Sequence, residues 1–102
     1  MDIVRDGHTL ELHGDFDVRS TWEVRNAIYE QLEAFDSDVV IDMTDVSTID
    51  ATALRLLAVA TRHAWLTGHH LTVRNPGPAV RRMVPLTRLA PAIEVERAAA
   101  SA

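Results

Sequence analysis

The sequence predicts an α/β fold, a small mixed β-sheet with helices packed on it and a βαβ unit within it. Three observations point there. Short extended-looking runs at Thr9–His13, Val39–Ile41 and His70–Arg74 are separated by segments whose apolar residues recur at helical spacing. From Val39 to Arg74 the pattern goes strand, helix, strand in about 35 residues, the length of a right-handed crossover between parallel strands. The chain has 102 residues, enough for one core and too few for two. A single domain is expected over residues 1–96, followed by a frayed alanine-rich tail over 97–102.

Thr9 to His13 alternates so that Leu10 and Leu12 share a face, and Ile3 and Val4 belong to a partner strand. Asp6-Gly7 between them suits a tight hairpin, because glycine takes positive φ without steric cost. Gly14-Asp15-Phe16-Asp17 reads as a loop. Ser20-Thr21-Trp22-Glu23 reads as a capping box, with Ser20 accepting from the Glu23 amide and Glu23 bonding back. In the helix it opens, Val24, Ala27, Ile28, Leu32 and Phe35 form the buried stripe. Trp22 and Tyr29 lie on its flank and are read as widening that stripe, with contact to a partner as the alternative.

Val39-Val40-Ile41 is a solid β-branched run, which predicts a central strand covered on both faces. Asp50 is placed to cap a long helix that runs to about Thr67 and stops at Gly68. Leu54, Leu57, Ala58, Ala64 and Trp65 are expected to face the sheet. Val59 and Leu66 fall among Thr52, Arg55, Arg62 and His63 on the outer stripe, an arrangement that suits docking. After the strand ending at Arg74, Asn75-Pro76-Gly77-Pro78 is a turn, and Pro78 fits the first turn of a helix. Val80, Met83 and Val84 give that helix one apolar side, and Pro85 should end or distort it. Ile93 to Val95 is read as a final short strand or helical turn.

Composition narrows the function. At 47% apolar and 25% charged, with mean hydropathy near zero, the chain is an ordinary globular protein. Cysteine is absent, which removes disulfides, thiolate metal sites and cysteine nucleophiles. All ten basic residues are arginine, so neither a P-loop lysine nor a lysine Schiff base is available. A formal net charge of −5 argues against nucleic acid as a partner. No basic leader precedes an apolar run, and no stretch of about 18 apolar residues occurs, so a soluble cytoplasmic protein without membrane insertion is expected.

Catalytic constellations are missing. The five histidines show no ligand spacing, and the adjacent His69 and His70 point to opposite faces of a strand, so no metal site is expected. Ser20, Ser37, Ser47 and Ser101 lie outside any Gly-x-Ser-x-Gly context and read as cap or turn residues. Asp42, Asp45 and Asp50 could pair in a carboxylate mechanism, but a helix starting beside them leaves little room for a cleft. The chain is therefore expected to be neither an enzyme nor a cofactor binder. The junction from Asp42 to the long helix is the better candidate, because function in open α/β sheets gathers after the carboxyl ends of parallel strands. Thr52, in the first helical turn, is read as capping or solvent-facing, with a phosphate at the helix start as the alternative.

The order of elements and several motifs together resemble the STAS domain, the fold of bacterial anti-sigma factor antagonists. Leu12-His13-Gly14-Asp15-Phe16-Asp17 is similar to the family's Gly-Glu-Leu-Asp segment, with Asp17 at the aspartate. Val39-Val40-Ile41-Asp42-Met43 resembles its central strand, and Val46 through Ile49-Asp50 resembles the run before its phosphorylation loop. Gly68 fits the glycine after the long helix, and Asn75 through Arg82 is similar to the approach to its third helix. Two positions depart. Where the family has Ser-Ser-Gly-Leu after the aspartate, this chain has Ala51-Thr52-Ala53-Leu54, and Arg88 stands where a glycine is usual.

The resemblance implies a non-catalytic protein that binds an anti-sigma factor of kinase-like fold and so frees a sigma factor, in the manner of partner switching in transcription regulation. The docking surface it implies comprises the Asp15–Arg19 loop, the Thr44–Ser47 loop and the outer face of the helix from Thr52. Its residues are Asp15, Asp17, Arg19, Thr44, Ser47, Asp50, Thr52, Arg55 and Val59. Ala51 occupies the acceptor position and has no oxygen to take a phosphoryl group. Two versions stay open: constitutive binding, the preferred one, or Thr52 as a displaced acceptor. Ala53 in place of glycine implies a more regular, stiffer helix start. The alternative function is a STAS subunit of a larger assembly, such as a transporter accessory or a stress-sensing complex.

Overall fold

The computed structural model describes residues 1–35 and 37–96. The tail expected to fray from Arg97 lies outside the described residues. Strand β1 (Asp2–Asp6) and strand β2 (Thr9–Phe16) form the expected antiparallel hairpin, and Gly7 begins the turn with φ of 59°. Helix α1 (Thr21–Phe35), strand β3 (Val39–Ile49), helix α2 (Ala51–Leu66) and strand β4 (Leu71–Arg74) follow. Helix α3 (Pro78–Thr87), a 3-10 turn (Ala90–Ala92) and the short strand β5 (Glu94–Val95) complete the chain. Of the two open readings of Ile93 to Val95 the strand is the one found, at Glu94–Val95, and the 3-10 turn precedes it at Ala90–Ala92.

The sheet runs β1-β2-β3-β4-β5, antiparallel at the first pair and parallel at the rest. Strand order that follows chain order, combined with right-handed crossovers, puts every crossover helix on the same face. That geometry corrects the expectation that β3 is covered on both sides. Val39 and Ile41 are fully buried beneath the helices, while Val40, pointing the other way, is only half-buried. Its β-branching reflects the conformational preference of a strand and not two-sided burial. β3 is nonetheless the central strand.

The core is built from alternate residues of the covered face, including Leu10, Leu12 and Phe16 of β2, Ile41, Met43 and Ile49 of β3, and Leu71 and Val73 of β4. Val24, Ala27, Ile28 and Leu32 of α1 and Leu54, Leu57, Ala60 and Ala64 of α2 pack onto it. Phe35, expected in that stripe, is instead exposed and meets the His8 ring in a tilted contact with centroids 4.6 Å apart. In compensation Gln31 is buried and donates its side-chain amide to the Gly7 carbonyl, fastening α1 to the hairpin turn.

Two segments read as loops are strand. β2 continues through Gly14 and Asp15 to Phe16, and Thr44–Ser47 lies inside the eleven-residue β3. Both were hidden for one reason. Register shifts between Glu11 and His13 and between Gly14 and Asp15 break the pleat, so burial along β3 falls on Met43, Val46 and Ile49, every third residue. A period of two cannot detect such a strand. Pro85 likewise fails to end its helix, which continues to Thr87. It sits in the last turns, where its missing N–H removes one intrahelical bond. No helix among the described residues is long and apolar enough to cross a membrane.

Candidate functional site

Because β2 and β3 are parallel, their carboxyl ends present the connection into α1 and the start of α2 side by side. Asp50 joins the two. Its backbone N–H donates to the Phe16 carbonyl (3.3 Å), its Oδ1 accepts from the Ala53 amide (2.8 Å), and its Oδ2 accepts from the Val18 amide (3.0 Å). One carboxylate therefore caps α2 and also holds the preceding loop, and both bonds are charge-assisted. Ala53 is fully buried and its amide donates to the Asp50 cap.

The loop is held internally as well. Arg19 donates from Nη2 (2.7 Å) and Nε (3.2 Å) to Asp17, and the Arg19 amide adds a third bond. The hydrogen-bonded guanidinium holds the Asp17 carboxyl below the usual carboxylate range. Asp15 accepts from the Thr48 hydroxyl (2.8 Å), tying the end of β2 to β3. The capping box does not form. The buried Ser20 hydroxyl accepts instead from the Asp17 amide and lies against the Asp15 and Asp17 carbonyls (3.1 and 3.2 Å). The bend of the loop turns Ser20 inward, so its side chain serves the loop and not Glu23.

Ala51 is the first residue of α2 and is exposed; Thr52, Arg55 and Val59 follow along the outward stripe, all exposed. The structure thus groups Asp15, Asp17, Arg19 and Asp50 at the junction and runs Thr52, Arg55 and Val59 away from it. Thr44 belongs elsewhere. Its hydroxyl donates to Asp42 (2.6 Å) and accepts from Asn75 (3.1 Å), in the direction of α3. Ser47 is an exposed residue of β3.

Sequence reasoning undervalued two aromatics. Trp22 is 69% exposed and does not widen the stripe of α1; Trp65 is 64% exposed and does not face the sheet. Tyr29 divides from Trp22: it is half-buried and meets the His63 ring of α2 at 4.9 Å. Arg25 spans the two aromatics, 4.7 Å from the Tyr29 ring centre and 6.0 Å from that of Trp22. Trp22, Leu56 and Val59 line a shallow groove between α1 and α2, and Val59 and Trp65 line another between α2 and the 3-10 turn. Arg55 borders both. The available signal was Trp22's position in the opening turn of α1, ahead of the first buried residue, Val24.

The surface also has a sign. Ala51–Leu66 carries Arg55, Arg62 and His63 and no acidic residue, whereas the chain as a whole is at −5. It is an apolar, cationic ridge on an acidic protein, and exposed apolar patches of this kind mark interaction surfaces in general.

A family model described as "Mlab, STAS domain" matches residues 1–94. No curated protein matches the chain by sequence. Among solved structures, the anti-sigma factor antagonist SpoIIAA of Bacillus in its unphosphorylated form aligns with a TM-score of 0.72 at 16% identity, over 93% of this chain and 86% of that one. An anti-sigma factor antagonist from Mycobacterium paratuberculosis aligns at 0.70 and 24% identity, over 95% and 84%. The murine anion transporter Slc26a9 aligns at 0.61 and 14% identity, over 72% of this chain but only 12% of the transporter.

Proposed function

The chain belongs to the STAS-domain family, and on that premise we propose that it is a non-catalytic cytoplasmic protein that binds an anti-sigma factor of kinase-like fold and thereby frees a sigma factor. The exposed ridge of α2, running from the Asp50 junction through Thr52, Arg55 and Val59, is the observation that carries this reading. It combines a rigid origin, apolar contact area and positive charge on one side of a small domain. The antagonist structures that share the fold support it.

Ala51 takes the exposed place at the head of α2 that the resemblance gives to the phospho-acceptor. A methyl group cannot accept phosphate, so docking is constitutive and set by abundance. Thr52 is the only hydroxyl in the first turn, and it points about 100° away around the helix from Ala51.

Affinity capture from the host is expected to recover an ATP-binding anti-sigma factor, and its absence under several stress conditions counts against the proposal. Incubation of the pair with ATP should leave the mass of this chain unchanged. A single phosphate mapped to Thr52 would replace constitutive docking by a displaced acceptor. Thr52→Glu should weaken the complex, because it places a desolvated negative charge on the docking ridge.

A second reading, a STAS unit working inside a larger assembly, is favoured by one observation: the same fold forms a small part of the murine transporter chain. Co-purification with a membrane ATPase would select it.

A further inference from the structure

Beneath α3 the structure holds a cavity of about 240 Å³. Leu54 and Leu57 from the inward face of α2, Val73 of β4, Val80 and Val84 of α3, and Ile93 line it. It exists because α3 packs sparingly. Val80 is the helix's single buried residue, and Leu86 points outward at 77% exposure. Ligand pockets are concave and mostly apolar with a few placed polar groups, and this partly open, mostly apolar space offers a favourable environment to a hydrocarbon group.

One charged side chain, Arg81, borders the cavity. Its Nε donates to the buried Pro76 carbonyl at 2.9 Å, which fixes the direction of the guanidinium. No carboxylate of the described residues forms an ion pair with Arg81, and the residue is exposed. Arg82 and Arg88 add charge of the same sign on and just after α3, which contains no acidic residue. An oriented cation with unpaired donors at the mouth of a mostly apolar, partly open pocket matches an amphiphile with an anionic head.

We propose that this cavity binds an aliphatic monocarboxylate, a short- to medium-chain fatty acid, with its chain among Leu57, Val80 and Val84 and its carboxylate on the Nη groups of Arg81. The site lies on the inward side of α2, separate from the docking ridge, and is independent of the function proposed above.

The test is calorimetric titration of the full chain with octanoate, 1-octanol and acetate, with amide shifts in the NMR spectrum locating the site. Octanoate is expected to bind more tightly than either probe, with shifts centred on Val80 and Val84. Arg81→Gln should weaken octanoate by about tenfold, the loss of one hydrogen-bonded charge, and change 1-octanol less than about twofold. Val84→Phe, at a half-buried position, should weaken both by filling the space; circular dichroism checks that it folds, and the Arg81→Gln comparison stands without it. Octanoate binding no tighter than acetate, or unchanged by Arg81→Gln, overturns the proposal.

Discussion

Two strand-to-helix junctions in this molecule are topologically alike and physically opposite. At the end of β3, Asp50 caps α2 with its side chain, clamps the Val18 amide, and feeds a helix that buries seven residues. At the end of β4, Gly77 offers no side-chain cap, and the helix it feeds buries one residue and ends on Arg88 in a left-handed conformation with φ of 58°. The first junction is a rigid mount whose outer surface is available for docking. The second is a sparsely buried cover, and the space under it is the one proposed for a ligand. Topology assigns the two helices equivalent places, and packing gives them different work.

The sharpest way to break this contrast is to truncate one leucine on each helix. Leu54→Ala, at a fully buried site of α2, should cost about 2–5 kcal/mol, and Leu86→Ala on α3 less than about 0.5 kcal/mol, both read by urea unfolding. Similar costs would mean that α3 is seated as firmly as α2. The caps come next in size. Asp50→Ala should lower stability by about 1–2 kcal/mol, since it leaves the Ala53 and Val18 amides without their partner. Gly77→Asp, where an added Cβ meets nothing within 4 Å, should raise it by a few tenths.

Arg88→Gly should stabilise by up to about 1 kcal/mol through release of the left-handed strain, reduced by the entropy that glycine adds to the unfolded chain. A neutral or destabilising result would mean that the arginine side chain compensates for its backbone. The smallest effect is expected at β5. His70 Nδ1 lies 3.1 Å from Glu94, and this hydrogen bond raises the imidazole pKa above its ordinary 6.5. A raised folded pKa contributes stability that is full below the unfolded value and is lost as pH rises through the folded one. The difference in Tm between wild type and His70→Gln should therefore be larger near pH 5.5 than near pH 9, pH values chosen to bracket the ordinary histidine range of about 6.5. A difference that grows with pH would contradict the ion pair.

At four positions where side-chain chemistry acts locally, the sequence was sufficient. Asp50 before an apolar-periodic run, Pro78 at a helix start, Gly7 in a hairpin and Gly68 after α2 each do in the structure what their own conformational and hydrogen-bonding preferences dictate. The candidate docking residues around α2 were legible for the same reason, because a helix with its period of 3.6 displays its outer stripe directly. The Asp15–Arg19 loop was legible in place but not in bonding, since Ser20 could not be seen to turn inward.

What tertiary structure alone decided depends on neighbours distant in the chain. The register shifts between β2 and β3 turned Thr44–Ser47 from an apparent loop into strand with every third residue buried, and only the pairing of the two strands reveals it. The exposure of Trp22, Trp65 and Phe35 depends on where neighbouring elements end, which helical spacing does not encode. The cavity beside Arg81 is the clearest case, because it is the space left where α2, β4 and α3 meet. A residue's own preferences specify its backbone and its cap; vacancies and coverage are properties of surfaces brought together, and come into being only when the helices settle on the sheet.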